Sequence, residues 1–322
     1  MNLPVETPTG RVDSWVSKET RDLFCKLRDR FNDNMMREVI LASCGLKVAR
    51  TCMSDDDLLT FLPVAEQNNL KVALSTKKYI HRRDIGKGGW SNSLERIVPT
   101  DHGAGLFNVY IATDKYMADL GLKTEAHNYE DEFGLLLGIP QCCRNAYMDG
   151  HELARLKQND LIPIVLDNTT GPPPYNFWNN YVAQYFGRAL LSFFPCSFNC
   201  TFSAELSKRS FSVLQQCSES WADHFINSQQ TNILYTEYLG IHQFPASSYA
   251  EGWLKYDPWL IESTETTEVS QRLSDGDRLK VLDRHGVEIY KGNRLLTRLQ
   301  DEDISVCFFV GDGDLGAAYR KP

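Results

Sequence analysis

The chain has 322 residues, a formal net charge of −8 and 24% charged residues, a composition typical of a globular protein with a sizeable core. An acidic chain argues against a broad nucleic-acid surface. It has no apolar run of the roughly 18–20 residues that a membrane span needs, and its first residues lack the pattern of a signal peptide. We therefore expect a cytoplasmic protein without nucleic-acid or membrane partners, whose nine cysteines are mostly reduced.

Helices and strands are predicted to alternate through the first part of the chain. Ser17 and Ser54 are suitable N-caps, and the strand-like segments are rich in β-branched and aromatic residues. The predicted elements, in chain order, are a helix from Ser17, a short strand at 39–42, a helix over 54–68, a strand from Lys71, a strand from Phe107 and a short helix that ends at Gly121. This alternation favours an α/β unit.

A basic segment over residues 77–87 follows the strand that starts at Lys71. We predict that Lys78, Arg82, Arg83 and Lys87 belong to a mobile loop that holds an anionic substrate, such as a carboxylate or phosphate. A solvated loop without a ligand is the alternative, because runs of charge are usually exposed.

A helix is predicted over residues 126–137. It would carry His127 and Glu130, and it would place His127 and Asp131 on one face. We interpret His127 and Glu130 as candidate proton-transfer groups, with a solvated polar helix face as the alternative.

Two cysteine stretches, at 139–143 and 194–200, have the same arrangement: an apolar run, a proline and then cysteine. Proline favours the first position of a helix, so Pro140 and Pro195 predict two helix N-termini, the second preceded by a strand at 189–194. A helix N-terminus lowers the pKa of a cysteine and favours the thiolate, which is the form that binds metals and acts as a nucleophile. The predicted metal ligands are Cys142, Cys143, Cys196 and Cys200.

Cys196 and Cys200 are expected on one face of the second helix, and Cys143 is the candidate for a catalytic thiol. The remaining cysteines are predicted to be structural, although Cys44 or Cys52 could complete a site.

The second half of the chain predicts an extended segment at 161–166, an aromatic helix at 176–186 and a polar linker at 261–268. Alternating segments then predict the strands of a small β module. We therefore expect an α/β or α+β fold, with a mixed sheet and flanking helices in residues 1–260 and the β module in residues 261–322.

The segments FGLLLGIPQCC (133–143) and FPCSFNC (194–200) resemble the domain of unknown function 483 family. That family is marked by Leu-Gly-Tyr-Pro-x-Cys-Cys and a later Pro-Cys-Ser-x-x-Cys, and here Ile139 stands in place of the tyrosine. The resemblance covers roughly residues 35–215 and implies that the four cysteines form one site. It does not imply a reaction.

The first hypothesis is a cysteine-ligated metalloenzyme, with an iron–sulfur cluster as the cofactor and a small, anionic substrate in redox or Lewis-acid chemistry. Zinc is the alternative metal. A metal-free thiol–disulfide oxidoreductase that uses the vicinal pair is the second hypothesis. A binding module with a structural zinc site is the third. The oligomeric state is left open.

Overall fold

The computed structural model describes residues 16–87, 93–156, 160–301 and 303–309. The helices are α1 (Lys18–Leu27), α2 (Asp33–Ser43), α3 (Asp55–Gln67), α4 (Lys115–Ala126), α5 (Glu130–Leu136), α6 (Gln141–Leu156), α7 (Ile162–Asp167), α8 (Thr201–Cys217), α9 (Glu219–Gln229) and α10 (Glu268–Asp275). Short 3₁₀ helices lie at Ile85–Lys87, Phe177–Asn179, Tyr181–Phe186 and Pro258–Leu260. None of these described helices is both long and apolar enough to span a membrane.

The strands form three sheets, and the described pairs are antiparallel. The first sheet has the order β1 (Ala49–Met53), β4 (Leu106–Ala112), β2 (Lys71–His81), β3 (Leu94–Val98). The second has the order β12 (Arg294–Gln300), β11 (Gly286–Lys291), β10 (Arg278–Asp283), β8 (Trp253–Lys255), β7 (Ser248–Ala250). The third has the order β13 (Ile304–Cys307), β5 (Asn232–Thr236), β6 (Ile241–Phe244), β9 (Glu262–Ser263). The predicted combination of sheet and flanking helices is confirmed.

The first sheet is covered by helices on both faces. On one face, Met53, Val109 and Ile111 join the largest apolar core, which also contains residues of α1, α2, α3, α8 and α9. On the other face, Tyr110 and Ala112 pack under α4. Helix α4 covers only part of this second face, and the rest borders a large cleft.

The remaining core lies between the second and third sheets and around α7. Strand β5 contributes to both parts, because Ile233 and Tyr235 face α7 whereas Leu234 faces the second sheet. Strand β13 pairs with β5 along Ile304–Cys307. The predicted division at 260/261 stays a prediction; strands β7 and β8, from before that position, share a sheet with β10 to β12.

Both predicted helix caps, Ser17 and Ser54, are confirmed. Ser17 accepts a hydrogen bond from the Thr20 N–H, and Ser54 forms a reciprocal capping box with Asp57. The strands predicted from Lys71 and Phe107 are also present. Strand β2 is longer than predicted and continues to His81, so Lys78 belongs to a strand and not to a loop.

Other elements were predicted wrongly because short apolar runs suit either a buried strand or a buried helix. Residues 39–42 lie within α2, which Asn32 caps, and residues 161–166 are mostly in α7. Residues 176–186 form two 3₁₀ helices, and Gly121 lies inside α4 instead of ending it.

Candidate metal centre and adjacent cleft

Four sulfur atoms from two distant segments converge in the fold. The ligand atoms of Cys142, Cys143, Cys196 and Cys200 all lie within 4.8 Å of one another. The Sγ of Cys200 is 3.8 Å from that of Cys142 and 3.9 Å from that of Cys143. We call these four residues the cysteine cluster. Because soft thiolates bind soft metals, the cluster could hold a metal ion.

The first pair of cysteines is held at the start of α6. Gly138, with φ +74°, ends α5 in the left-handed conformation that glycine adopts readily, and the chain then turns at Pro140. Arg144 donates to the Ile139 carbonyl at 2.7 Å. A Cβ at Gly134 would lie 2.7 Å from Arg144 Cδ, so a larger residue there would displace the Arg144 side chain. The prediction of a helix beginning after Pro140 is confirmed.

The second pair lies in a loop, and here the prediction was wrong. Helix α8 begins at Thr201 with Cys200 as its N-cap, so Pro195 starts no helix and Cys196 and Cys200 do not share a helix face. Residues 189–194, predicted as a strand, are irregular. The two sulfurs meet because the backbone turns between them, with the Cys200 N–H donating to the Ser197 carbonyl at 3.2 Å.

Buried side chains outside the loop fix its shape. Asn179 Nδ2 donates to the Phe198 carbonyl at 3.0 Å and to the Cys200 carbonyl at 2.9 Å. The Phe198 N–H donates to the Thr169 hydroxyl at 2.9 Å, and the Phe198 ring is fully buried in the apolar core around α7. The loop is therefore anchored by a buried ring and by satisfied backbone groups, which is the condition for holding two thiols in a defined position.

The electrostatics of the cluster favour a thiolate at Cys200. Hydrogen bonds from the Cys143 thiol and from Ser203 lower the pKa of Cys200 to about 4. Burial raises the pKa of Cys196 to about 12, and the hydrogen bond to Cys200 raises that of Cys143. The Cys196 N–H donates to Cys143 Sγ at 3.3 Å. Hydrogen-bond donors thus support negative charge at Cys200, whereas Cys143 and Cys196 favour the protonated thiol.

A cleft of about 950 Å³ adjoins the cluster, and Cys143 is the cluster residue that lines it. Its walls carry both signs of charge, with Arg37, Arg50, Lys87 and Arg144 opposite several carboxylates. A pocket of this size fits a small molecule.

The predicted substrate-binding cations are in different environments. Lys78 is buried and bonded to Asp55 at 2.6 Å and to the His102 carbonyl at 2.8 Å. Arg82 and Arg83 are exposed and are not among the residues that line the cleft. Lys87 does line the cleft. The residues that follow the basic segment, 88–92, lie outside the described residues.

Lys87 is the centre of a second cluster that the sequence did not indicate. Its ammonium lies 2.9 Å from Glu237, 3.2 Å from Asp160 and 3.3 Å from Asp84, and all four side chains are buried. We call this group the Lys87 cluster. The carboxylates raise the pKa of Lys87 despite the opposing effect of burial. Asp160 and Glu237 are remote in sequence, and only the fold brings them together.

Of the two candidate proton-transfer groups, Glu130 lines the cleft and His127 does not. The helix predicted over 126–137 is present but starts later, as α5 (Glu130–Leu136), because His127 caps α4 and Asn128 adopts φ +57° before α5 begins. His127 is exposed and its Nδ1 lies 2.8 Å from the Lys123 carbonyl. Glu130 is exposed at the start of α5 and lines the cleft.

The sequence analysis named Cys52 as a cysteine that could complete a site but did not connect it with Arg50 and Asn108 on the first sheet. The alternation of strand β1 would have placed Arg50 and Cys52 on one face, but that strand was not predicted.

Comparisons of the chain with protein-family models, with curated proteins and with solved structures give no match.

Proposed function

We propose that the chain is a metalloenzyme in which the cysteine cluster holds a metal ion and the adjacent cleft binds a small-molecule substrate. The observation that carries the proposal is the convergence of four sulfurs, from residues 142–143 and 196–200, at the wall of the cleft. The resemblance to the domain of unknown function 483 family rests on the same four cysteines and is part of the proposal.

The sulfur spacing supports a single ion. A tetrahedral ion with metal–sulfur bonds of about 2.3 Å has sulfur–sulfur edges of about 3.8 Å. The separations of 3.8 and 3.9 Å from Cys200 Sγ to the vicinal pair match that edge. In a larger cluster the cysteines bind different irons, so their sulfurs lie further apart. We therefore rank one iron or zinc ion above the iron–sulfur cluster that the motifs first indicated.

The cleft supports a substrate with anionic groups. Cys143 lines it, so a bound molecule would approach the metal centre past this sulfur. Iron bound there would supply redox chemistry, and an ion that exchanged one thiolate would supply Lewis-acid chemistry. Arg144, next to Cys143, has its guanidinium oriented by Asp131 at 2.7 Å and lies on the same wall. Its role is to orient an anionic group near the sulfurs.

A structural zinc site is the second candidate. Four thiolates would fill all four tetrahedral positions, which is typical of zinc sites that stabilise a fold. In that case the ion would join the start of α6 to the loop before α8, and the cleft would bind a ligand without metal chemistry.

The test is elemental analysis and an absorption spectrum of anaerobically purified protein, with three cysteine variants. We expect about one equivalent of metal in the wild type, and loss of that metal in Cys196→Ala and Cys200→Ala. Cys307→Ala is the matched control, because Cys307 is a free cysteine that is also buried but lies in strand β13.

Equal metal content in all three variants would reject the proposed site. Iron together with inorganic sulfide would support an iron–sulfur cluster in place of a single ion. Colourless protein with bound zinc and unreactive thiols would support the structural zinc site. Metal-free protein with two fast-reacting cluster thiols would support the thiol–disulfide alternative instead.

A further inference from the structure

One half of a sheet face forms part of the cleft wall. Strand β1 pairs with β4 so that Arg50 lies opposite Tyr110 and Cys52 lies opposite Asn108. Residues directly opposite each other in an antiparallel pair share a face. Helix α4 covers the Tyr110 end of this face, whereas Arg50, Cys52 and Leu106 line the cleft. The thiol of Cys52 is therefore partly exposed to the cleft.

Cys52 has a histidine and an amide as neighbours. Its Sγ lies 3.9 Å from His81 Nε2, at the end of strand β2, and 3.4 Å from Asn108 Oδ1, which accepts from the thiol. The amide of Asn108 is oriented by Glu125, to which its Nδ2 donates at 3.4 Å. An imidazole within reach of a thiol is the basic arrangement of a nucleophile and its base.

Arg50 brings a guanidinium to the same cleft. One terminal nitrogen pairs with Glu125 at 3.1 Å, which fixes the guanidinium. Its Nε–H is buried and has no hydrogen-bond partner among the described residues. A buried donor without an acceptor is costly, and a carboxylate oxygen is the acceptor that suits a guanidinium best. The donor belongs to a residue that lines the cleft two positions before Cys52.

We propose that Cys52, His81 and Arg50 form a second reactive site in the cleft. Its substrate is a small carboxylate that carries a leaving group, and the reaction alkylates or acylates the Cys52 thiol. The Arg50 guanidinium, on a side chain that is 31% exposed, binds the carboxylate, and His81 is the base. Asn108 is a positioning residue, because it acts on the thiol and not on the substrate. The site uses none of the residues of the cysteine cluster.

The chemical step needs no oxidant or reductant. The Sγ–H proton passes to His81 Nε2, and the sulfur electron pair forms a bond to the substrate carbon. The bond from that carbon to the leaving group breaks, and the leaving group departs with that electron pair.

The experiment compares iodoacetate with iodoacetamide on the protein as purified. Each forms an Sγ–C bond and releases iodide, but only iodoacetate carries a carboxylate. The rate at Cys52 is measured by mass spectrometry of its peptide, with exposed Cys25 as the control thiol in the same chain. One charge-assisted hydrogen bond corresponds to about a tenfold preference, so we expect the iodoacetate-to-iodoacetamide rate ratio at Cys52 to exceed that at Cys25 about tenfold.

Variants separate the two roles. Arg50→Gln should remove the preference for iodoacetate, and His81→Gln should slow both reagents at Cys52. Arg30→Gln, which replaces an exposed arginine outside the cleft lining, should change neither. Cys52 that reacts no faster than Cys25 would overturn the proposal, as would equal rate ratios at the two cysteines. The wild-type ratio decides this even if a variant fails to fold.

The readout follows Cys52 alone. Loss of metal from the cysteine cluster and loss of the iodoacetate preference are therefore separate results, and either proposal can fail without the other.

Discussion

The cysteine cluster and the Lys87 cluster solve the same problem in different ways. Each gathers acidic groups from distant parts of the chain into a protected position. In the Lys87 cluster a lysine of the chain itself lies among three carboxylates. The sulfurs of the cysteine cluster instead receive hydrogen bonds from neighbouring thiols, a backbone N–H and Ser203.

This difference indicates which of the two clusters needs an ion from outside the chain. Buried charges are tolerated when they are paired or when they coordinate a metal. A built-in ammonium makes the Lys87 cluster a structural ion-pair network. The cysteine cluster has the ligand atoms and the spacing for an ion, and we propose that its positive charge comes from solution.

The largest effect should come from removing the metal. With a strong chelator, we expect the free energy of unfolding to fall by about 4 kcal/mol if the ion had been present at a thousand times its dissociation constant. Urea denaturation with and without chelator measures this. The same chelator should leave Cys200→Ala unchanged, and an equal effect on both proteins would mean that the ion binds elsewhere.

The next effect tests the Lys87 cluster. Lys87→Met leaves three buried carboxylates without their cation, and we expect a loss of about 3–5 kcal/mol. Lys78→Met is the matched control: Lys78 is equally buried, but the side chain of its partner Asp55 is 58% exposed, so water can solvate the carboxylate left behind. We expect about 1 kcal/mol for the control. Equal losses in the two variants would contradict the network.

The dependence of stability on pH should depend on His242. This residue is buried in strand β6, and its Nδ1 lies 2.8 Å from the Ser263 hydroxyl. Burial lowers the pKa of His242 to about 4. The unfolded state then binds a proton that the folded state does not, so stability falls as pH drops from about 6.5, by about 3 kcal/mol at pH 4. His242→Gln should flatten this part of the curve in urea titrations. An unchanged slope would place the acid sensitivity in other groups.

The smallest effect should come from the exposed arginines. Arg82→Gln and Arg83→Gln remove charges from solvated side chains, so the free energy of unfolding should change by less than about 0.5 kcal/mol. Thermal unfolding checks this. A clear loss of stability would show that these arginines, like Lys87, have structural partners.

Local signals account for what could be predicted. Ser17 and Ser54 determine helix starts through their own hydrogen bonds, and the strands at Lys71 and Phe107 follow from their composition. Short apolar runs gave wrong predictions at 39–42 and 189–194, because a helix, a strand or an anchored loop can bury such a run equally well.

The candidate sites also have a part that the sequence predicted and a part that it did not. The sequence by itself identified the four cysteines that converge, because proline and cysteine recur in two similar stretches and chemistry restricts what thiols do together. Only the tertiary structure decided how they meet: Cys196 and Cys200 come together through a loop anchored by Phe198, not through a helix face. The Lys87 cluster and the Cys52 site were also decided there, because ion pairs and thiol–imidazole contacts between residues far apart in sequence leave no local pattern.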